Sequence, residues 1–380
     1  MSADRASPAL DALFLPFAQG ELPWPSPEVT GSPGLVLFLR ARAGEALHAW
    51  ASRGLRAEQS FRPEADALRR MGVTVSEHID GDATVADPAA SPTRYPCVLL
   101  LPPRQREEAR ALLARAVRHC ASGGLVVAAQ ANDEGAKTGE ADLARLAGLD
   151  GTLSKHRCRV YWTRVDAEPD ASTRINTALL SEWAVLDAPR HIEDARFPGG
   201  GFLSRPGVFA WDRVDPASSL LAAHLPDTLS GRVADLGAGV GVLSAALLQR
   251  CAGLQALDLY EAEARALALA RQNLAALTAS AAATPAPALG FHWHDVASGL
   301  PHADYDAVVM NPPFHALGRA DRNDIGHAFI AAAAGALRRG GRLWLVANRH
   351  LPYEALIQSR FAGVRTVADA AGFKVLEATR

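Results

Sequence analysis

The stretch VADLGAGVGVLSAALL, residues 233–248, decides the fold. It reads as a strand, a tight turn and a helix. Gly237, Gly239 and Gly241 follow a GxGxG spacing, and Asp235 lies two residues before the first of them. Glycines let the backbone turn sharply and let a ligand approach without interference from a Cβ atom. A glycine-rich turn between a strand and a helix predicts the ligand-binding edge of a parallel α/β sheet.

The next strand, LQALDLYE, offers two acids that could bind a ribose. In a parallel strand the position that faces a ligand is the carboxyl end. Glu261 lies at that end, 20 residues after Gly241, and a helix follows it directly. We expect Glu261 to hold two ribose hydroxyls. Asp258, within the same strand, is the alternative ligand.

The GxGxG spacing also favours S-adenosylmethionine over a dinucleotide as the ligand. A dinucleotide needs a helix N-terminus for its pyrophosphate. S-adenosylmethionine has no phosphate, and Asp235 suits its methionine tail. Asp295, at the end of the strand FHWHD, could accept from the adenine amino group. His292 and His294 lie in that strand without cysteine or acid at ligand spacing, so we expect no metal site.

A later strand, DAVVM, ends in Asn311-Pro312-Pro313-Phe314. An exocyclic amine on a planar ring is a poor nucleophile, and two acceptors can orient its lone pair. The Asn311 side-chain oxygen and the Pro312 carbonyl are the candidates, and Phe314 offers a stacking face. Catalysis then needs positioning more than a strong base. The competing interpretation is a strand that ends in an ordinary turn. His315 either contacts substrate phosphate or packs.

The chain also contains a faint internal repeat. YPCVLLLPP (95–103) and YDAVVMNPP (305–313) share a tyrosine, an apolar run and two prolines. Each is followed by a helix, a Gly-Gly pair and a strand, but Leu101 stands where Asn311 stands. This pattern predicts an α/β fold of two tandem Rossmann-like domains, of which the first is degenerate. We expect a supporting domain over 1–185, a linker over 186–205 and a catalytic domain over 206–380.

The composition of the chain limits the kinds of partner and the location that we expect for this protein. The net charge of -2 means that a nucleic-acid partner must be met by a local basic patch. The beginning of the sequence has no basic segment before an apolar core, and no apolar run approaches 18 residues. The four cysteines show no metal spacing. We therefore expect a cytoplasmic protein without a membrane partner, and a monomer.

The segments DLGAGVGVLS, NPPFH and VANRHLPYEALI together resemble the ribosomal RNA guanine-N2 methyltransferases of the RsmC type and their large-subunit relatives. PGVFAWDRVDPASSLL (206–221) is similar to the family segment that helps to close over the cofactor. Trp211 and Asp212 depart from that family's pattern there. The resemblance covers the second half closely and the first half loosely.

The resemblance implies a class I methyltransferase that uses S-adenosylmethionine on a guanine amino group of small-subunit (16S) RNA. In that family the matches of Asn311 and Phe314 serve the target base, and the matches of the acids serve the cofactor. Large-subunit RNA, adenine N6 and a glutamine amide remain alternative targets, and a non-catalytic RNA-binding assembly factor is an alternative of another class. The candidate RNA contacts are Arg104, Arg106, Arg157 and Arg349.

Overall fold

A computed structural model describes residues 7–25, 36–77, 94–165, 174–278, 282, 284–313 and 321–380, with the backbone alone for 321–324. The chain divides into two compact units, Met1–Ala188 and Pro189–Arg380. Among the described residues, no helix is long and apolar enough to cross a bilayer.

The first unit contains a seven-stranded sheet in the order β3-β2-β1-β4-β5-β7-β6. Its strands are β1 (Val36–Leu39), β2 (Leu55–Glu58), β3 (Thr74–Ser76), β4 (Tyr95–Leu100), β5 (Cys120–Ala131), β6 (Gly151–Lys155) and β7 (Cys158–Arg164). Its helices are α1 (Pro8–Ala18), α2 (His48–Ala51), α3 (Arg62–Arg70), α4 (Arg106–His119), α5 (Ala136–Ala147) and α6 (Thr177–Trp183).

The second unit repeats this order in β12-β11-β10-β13-β14-β16-β15, and β8 pairs with β9 in a separate hairpin. Its strands are β8 (Arg190–Glu193), β9 (Gly201–Ser204), β10 (Ser230–Leu236), β11 (Gly253–Glu261), β12 (Ala288–Trp293), β13 (Tyr305–Met310), β14 (Leu337–Asn348), β15 (Gly363–Ala370) and β16 (Phe373–Thr379). Its helices are α7 (Pro216–His224), α8 (Val242–Arg250), α9 (Ala264–Thr278), α10 (Asp321–Ala336) and α11 (Tyr353–Arg360).

The structure differs from the parallel pattern at one side of each sheet. The β14–β16 and β15–β16 pairs are antiparallel, as are β5–β7 and β6–β7. A short turn joins β15 to β16, and strands joined so closely can only run antiparallel. The expected linker over 186–205 also differs, because it contains the β8–β9 hairpin, which belongs to the second unit.

The central strands are buried on both faces. In β13, Ala307 and Val309 join one apolar cluster, while Val308 and Met310 join the other. Because helices cover both faces of such a sheet, its central strands are apolar throughout and do not alternate. This burial explains the continuous apolar run before Asn311.

The register of the sheet brings the predicted site residues to one edge. Leu236, the last residue of β10, pairs with Tyr260 of β11 and with Met310 of β13. The residues at the carboxyl ends of these strands, Glu261 and Asn311, therefore flank the glycine-rich turn. Ligands of open α/β sheets bind in the crevice outside these carboxyl ends.

Candidate active site

A pocket lies at this edge of the second sheet. Its walls combine the glycine-rich turn with the segment that leads into α7. The residues that line it are Phe209, Ala210, Arg213, Asp215, Ser218, Asp235, Gly237, Ala238, Gly239, Val240, Val242, Leu243 and Asn311. Four of the predicted site residues, Asp235, Gly237, Gly239 and Asn311, are therefore brought together in one pocket.

The glycine-rich turn is held against the neighbouring strand. The N–H groups of Gly237 and Ala238 both donate to the Tyr260 carbonyl, at 2.8 and 3.2 Å. Gly237 has a φ of 72°, and a Cβ atom there would lie 3.3 Å from the Phe329 ring. Both the left-handed backbone and this close contact favour glycine at position 237. A Cβ at Gly239 would meet nothing within 4 Å, so its surroundings are open.

Glu261 is bound to this turn. Its Oε2 accepts from the Gly239 N–H at 2.8 Å, and its Oε1 accepts from the Glu263 N–H at 2.8 Å. Burial raises the pKa of the Glu261 carboxyl, although the two backbone N–H groups act in the opposite direction. Each carboxylate oxygen carries two lone pairs, so both can still accept from a ligand hydroxyl.

Asp258, the alternative ribose ligand, has its partners within the sheet. Its carboxylate accepts from the Tyr305 hydroxyl at 2.8 Å and lies 3.1 Å from His292 Nε2. Burial opposes the ionisation of Asp258, but the hydrogen bonds from His292 and Tyr305 outweigh it and lower the pKa. His292 also stacks on the Tyr260 ring, with ring centroids 4.5 Å apart. Asp258 therefore organises a polar cluster inside the sheet.

Asp235 is fully buried, and only one of its two carboxylate oxygens has a hydrogen-bond partner. Its Oδ2 accepts from the Ser244 N–H at 3.1 Å and from the Ser244 hydroxyl at 2.7 Å, while its Oδ1 has no partner. Burial raises the pKa of Asp235 to about 7, because the two bonds from Ser244 compensate only part of the lost hydration. This acid is poised to gain from a donor or a cation in the pocket.

Asn311 presents a second unpaired acceptor. Its Nδ2 donates to Asp215 Oδ2 at 2.9 Å and lies 2.8 Å from Ser218 Oγ. Its Oδ1 is buried and without a partner. Pro312 is buried beside it. Phe314, predicted to stack on the base, and His315 lie outside the described residues.

Asp295 lies two residues after the end of β12 and caps a short 3-10 helix, Val296–Ser298, where its Oδ1 accepts from the Ala297 N–H at 3.0 Å. His294 Nε2 lies 2.6 Å from the Gly299 carbonyl. Among the residues that the structure describes, no cluster of three or more His, Cys, Asp or Glu side chains could hold a metal ion.

The family model of the methyltransferase small domain matches residues 199–377. The ribosomal RNA small subunit methyltransferase C of Psychromonas ingrahamii is 28% identical over 285 residues, 75% of this chain and 76% of that protein. The enzyme of the same name from Salmonella newport is 30% identical over 276 residues, 72% of either chain. This chain belongs to the ribosomal RNA small subunit methyltransferase C (RsmC) family.

A solved structure shows the same fold across this RsmC-family chain. The T. thermophilus 16S rRNA N2 G1207 methyltransferase (RsmC), in complex with AdoMet and guanosine, has a TM-score of 0.73 and 24% identity, and the match covers 100% of this chain and 93% of that one. Together these matches confirm the predicted family, the fold class of tandem Rossmann-like domains and the enzyme class, a methyltransferase.

Four polar or aromatic residues that line the pocket in this RsmC-family chain were not among the predicted site residues. They are Phe209, Arg213, Asp215 and Ser218. All four lie in the segment 206–221, which sequence resemblance singled out only as a whole. Asp215 followed by Pro216 is a recognisable start signal for a helix. That signal says nothing of a contact with Asn311, which lies 96 residues away.

The two residues that depart from the RsmC pattern take separate roles. The Trp211 ring packs against the Arg190 guanidinium, 4.7 Å from the ring centroid. Asp212 forms an exposed ion pair with Arg213. Among the candidate RNA contacts, Arg349 pairs with Asp369 and Arg106 lies 3.7 Å from Asp142. Arg104 and Arg157 are exposed.

Proposed function

We propose that this chain transfers a methyl group from S-adenosylmethionine to the exocyclic N2 amino group of a guanine in small-subunit (16S) ribosomal RNA. One observation carries the proposal: two buried acceptors without partners, Asp235 Oδ1 and Asn311 Oδ1, belong to residues that line one pocket. A buried polar atom without a partner costs about 1–3 kcal/mol, so a ligand with N–H donors stabilises the site.

The pocket fits S-adenosylmethionine through its donor and acceptor set. When bound, this cofactor supplies an electrophilic sulfonium methyl group. Asp235 would hold the cationic methionine end, since its unpaired oxygen is an acceptor. Glu261 would hold the ribose hydroxyls, and Asp258 is the weaker candidate because its carboxylate already serves Tyr305 and His292. Asp295 would accept from the adenine amino group, and the glycines Gly237, Gly239 and Gly241 admit the ligand to the backbone.

The residues at the end of β13 would act on the target amine. Asn311 Oδ1 accepts one amino N–H and the Pro312 carbonyl accepts the other, which orients the nitrogen lone pair. Phe314 offers its ring to the base, and such stacking contributes roughly 1–3 kcal/mol. Positioning of this kind lowers the barrier without a strong general base.

Small-subunit RNA is the favoured substrate because the relatives carry that name and the T. thermophilus enzyme binds guanosine. The catalytic domain is the second unit, which adds the β8–β9 hairpin to the predicted range 206–380, and the first unit, which contains the predicted range 1–185, supports it and helps to bind RNA. A cytoplasmic location, a monomeric state and the absence of a membrane partner remain predictions.

Transfer of labelled methyl groups tests the proposal. Unmodified small-subunit RNA, assembled small subunits and large-subunit RNA would each be incubated with the protein and labelled S-adenosylmethionine. We expect N2-methylguanosine in small-subunit RNA by nucleoside mass analysis. Label that enters only large-subunit RNA, adenine or a protein would contradict the assignment of small-subunit guanine as the substrate. If RNA binds but no methyl group is transferred, a non-catalytic assembly factor would be favoured.

A further inference from the structure

The segment that precedes β10 places two polar side chains against Asn311. Asp215 caps α7, with Pro216 in its first turn, and its Oδ2 accepts from the Ser218 N–H at 2.9 Å. The same oxygen accepts from Asn311 Nδ2 at 2.9 Å, and Ser218 Oγ lies 2.8 Å from that nitrogen. Ser218 is buried. One carboxylate oxygen therefore serves the helix end and the candidate catalytic amide together.

We infer that Asp215 and Ser218 are positioning residues that set the rotation of the Asn311 side-chain amide. An amide presents a donor at one end and an acceptor at the other, and a carboxylate can only accept. If the amide were turned over, Asn311 Oδ1 would face the Asp215 carboxylate, and two acceptors would repel each other. Asp215 therefore holds the NH2 group toward α7 and leaves Oδ1 on the opposite side.

Ser218 alone would not set this direction. A hydroxyl can donate or accept, so it tolerates either end of the amide. Asp215 imposes the polarity and Ser218 completes the second N–H partner. With both N–H groups occupied, Oδ1 is the remaining polar atom of the amide, and it has no partner in the described structure.

The charge of Asp215 also affects the strength of the acceptor. A hydrogen bond from an amide to an ionised carboxylate is roughly twice as strong as one between neutral groups. Hydrogen bonds in a chain polarise one another, so electron density shifts toward Asn311 Oδ1. A more negative oxygen is a better acceptor for the target amino group. The inference rests on the proposed role of Asn311 in methyl transfer.

A helix cap by itself would not require this arrangement. Asn176 caps α6 in the first unit by accepting from the Leu179 N–H at 3.0 Å. It provides a matched control, because serine is also a good capping residue at either position. Asp215→Ser keeps an acceptor for the helix end but is shorter and uncharged, so it loses the bond to Asn311. Asn176→Ser changes a cap alone.

The test compares turnover, cofactor affinity and stability in the full chain. We expect Asp215→Ser to lower kcat about 10- to 100-fold, with the Kd for S-adenosylmethionine within about three-fold and a Tm close to that of Asn176→Ser. Ser218→Ala should lower kcat less, by several-fold. Asp215→Asn restores an acceptor oxygen at the original reach but not the charge, so it should recover part of the turnover that Asp215→Ser loses.

Different outcomes would overturn the inference and the proposed function. If Asn311→Ala abolishes turnover while Asp215→Ser behaves like Asn176→Ser, the inference is wrong and the proposed function stands. A loss in Asp215→Ser that Asp215→Asn does not restore even in part, or that appears as weaker cofactor binding, also overturns positioning through Asn311. If Asn311→Ala keeps normal turnover, the proposed role of Asn311 and the inference fall together.

Discussion

The seven-stranded sheets of the two units share a strand order but differ at the positions of the predicted site residues, and the pairing register allows a comparison residue by residue. In each seven-stranded sheet the first strand along the chain pairs with the fourth, so that Phe38 pairs with Leu99 and Asp235 pairs with Val309. Phe38 therefore occupies the position of Asp235. It is fully buried and makes an edge contact with Phe14 of α1, at 6.2 Å between ring centroids. An apolar ring replaces the buried acid.

The turn after the first strand of each seven-stranded sheet also differs between the two units. Arg40 stands where Gly237 stands, and both have a positive φ, 51° and 72°. Arg40 forms an ion pair with the buried Glu108. The backbone keeps a positive φ at this position in both units. In the first unit, however, a long side chain occupies the place where the glycine of the second unit leaves the backbone accessible.

Gln59 corresponds to Glu261, because Glu58 and Tyr260 hold matching positions in the register. Gln59 Oε1 accepts from the Phe61 N–H, as Glu261 Oε1 accepts from the Glu263 N–H. The other end differs. Gln59 Nε2 donates to the Ala41 carbonyl at 2.6 Å, whereas Glu261 Oε2 accepts from the turn. An amide thus preserves the local bonds without the charge, which shows that the scaffold and the site are separable.

The largest effect is expected when Asn311 is replaced by the residue at the corresponding position of the first unit. Asn311→Leu gives the second unit the residue that the first unit carries at Leu101. We expect turnover to fall by about 10²–10³-fold or more, because the acceptor that orients the amine is gone. Single-turnover methyl transfer and calorimetry with S-adenosylmethionine would measure it, with affinity retained within a few-fold. Normal turnover in this variant would contradict the role of Asn311, and Leu101→Asn, which should leave turnover unchanged, is the control.

Asp235→Asn removes the buried acid that Phe38 replaces. The native pKa of Asp235, about 7, lies above the usual value of 3.8, so the native chain holds this proton more tightly. Its contribution to the free energy of unfolding therefore falls as pH rises from about 4 through 7. Asparagine mimics the protonated acid, so we expect the free energy of unfolding of the variant to exceed that of the wild type by on the order of 4 kcal/mol at pH 8, with little difference at pH 4.

Urea unfolding at both pH values checks this, and a difference that does not change with pH would contradict it. Cofactor affinity should fall in the same variant, because an unpaired anion is lost from the pocket. A variant that gains stability and loses cofactor affinity would show that Asp235 serves cofactor binding at the expense of stability.

Glu261→Gln reproduces Gln59 and sharpens the question of the ribose ligand. We expect the Kd for S-adenosylmethionine to rise about 10- to 100-fold, since hydrogen bonds to a charged acceptor contribute about 1.5–3 kcal/mol. Gln59→Glu in the first unit is the matched control and should leave the affinity unchanged. Asp258→Asn tests the alternative: a larger loss there than in Glu261→Gln, with stability accounted for, would transfer the ribose to Asp258.

The smallest effect is expected in the turn between the last two strands. His156 and Arg157 adopt positive φ values of 53° and 57° between β6 and β7, where the second unit has Ala371 and Gly372. Arg157→Gly should stabilise the chain by about 1 kcal/mol, because a left-handed backbone is unfavourable for a residue with a Cβ atom. Gly372→Arg should destabilise by a similar amount, since its φ of 82° is unfavourable for a residue with a Cβ atom. A Cβ there would meet no neighbour within 4 Å, so no steric clash adds to this effect. Thermal unfolding would show both, and equal Tm values would refute the strain.

The elements that sequence patterns recovered are those whose signals are local. The glycine spacing predicted the turn at Gly237, and the apolar run before Asn311 predicted β13. β15 was missed because it is mostly exposed and carries few apolar residues, which leaves no periodic signal. The hairpin of β8 and β9 was missed for a related reason, since its short strands are half polar.

The sequence by itself determined where strands end and where the backbone must turn, because these depend on glycine, proline and the burial of adjacent residues. It also placed Asp235, Glu261 and Asn311 at strand ends that a parallel sheet brings to one edge. Only the tertiary structure decided how their side chains are used. The Asp215–Asn311 bond joins residues 96 apart, and the choice between Asp258 and Glu261 depends on neighbours from other strands. Side-chain direction and pairing follow from packing across the sheet, which no local pattern records.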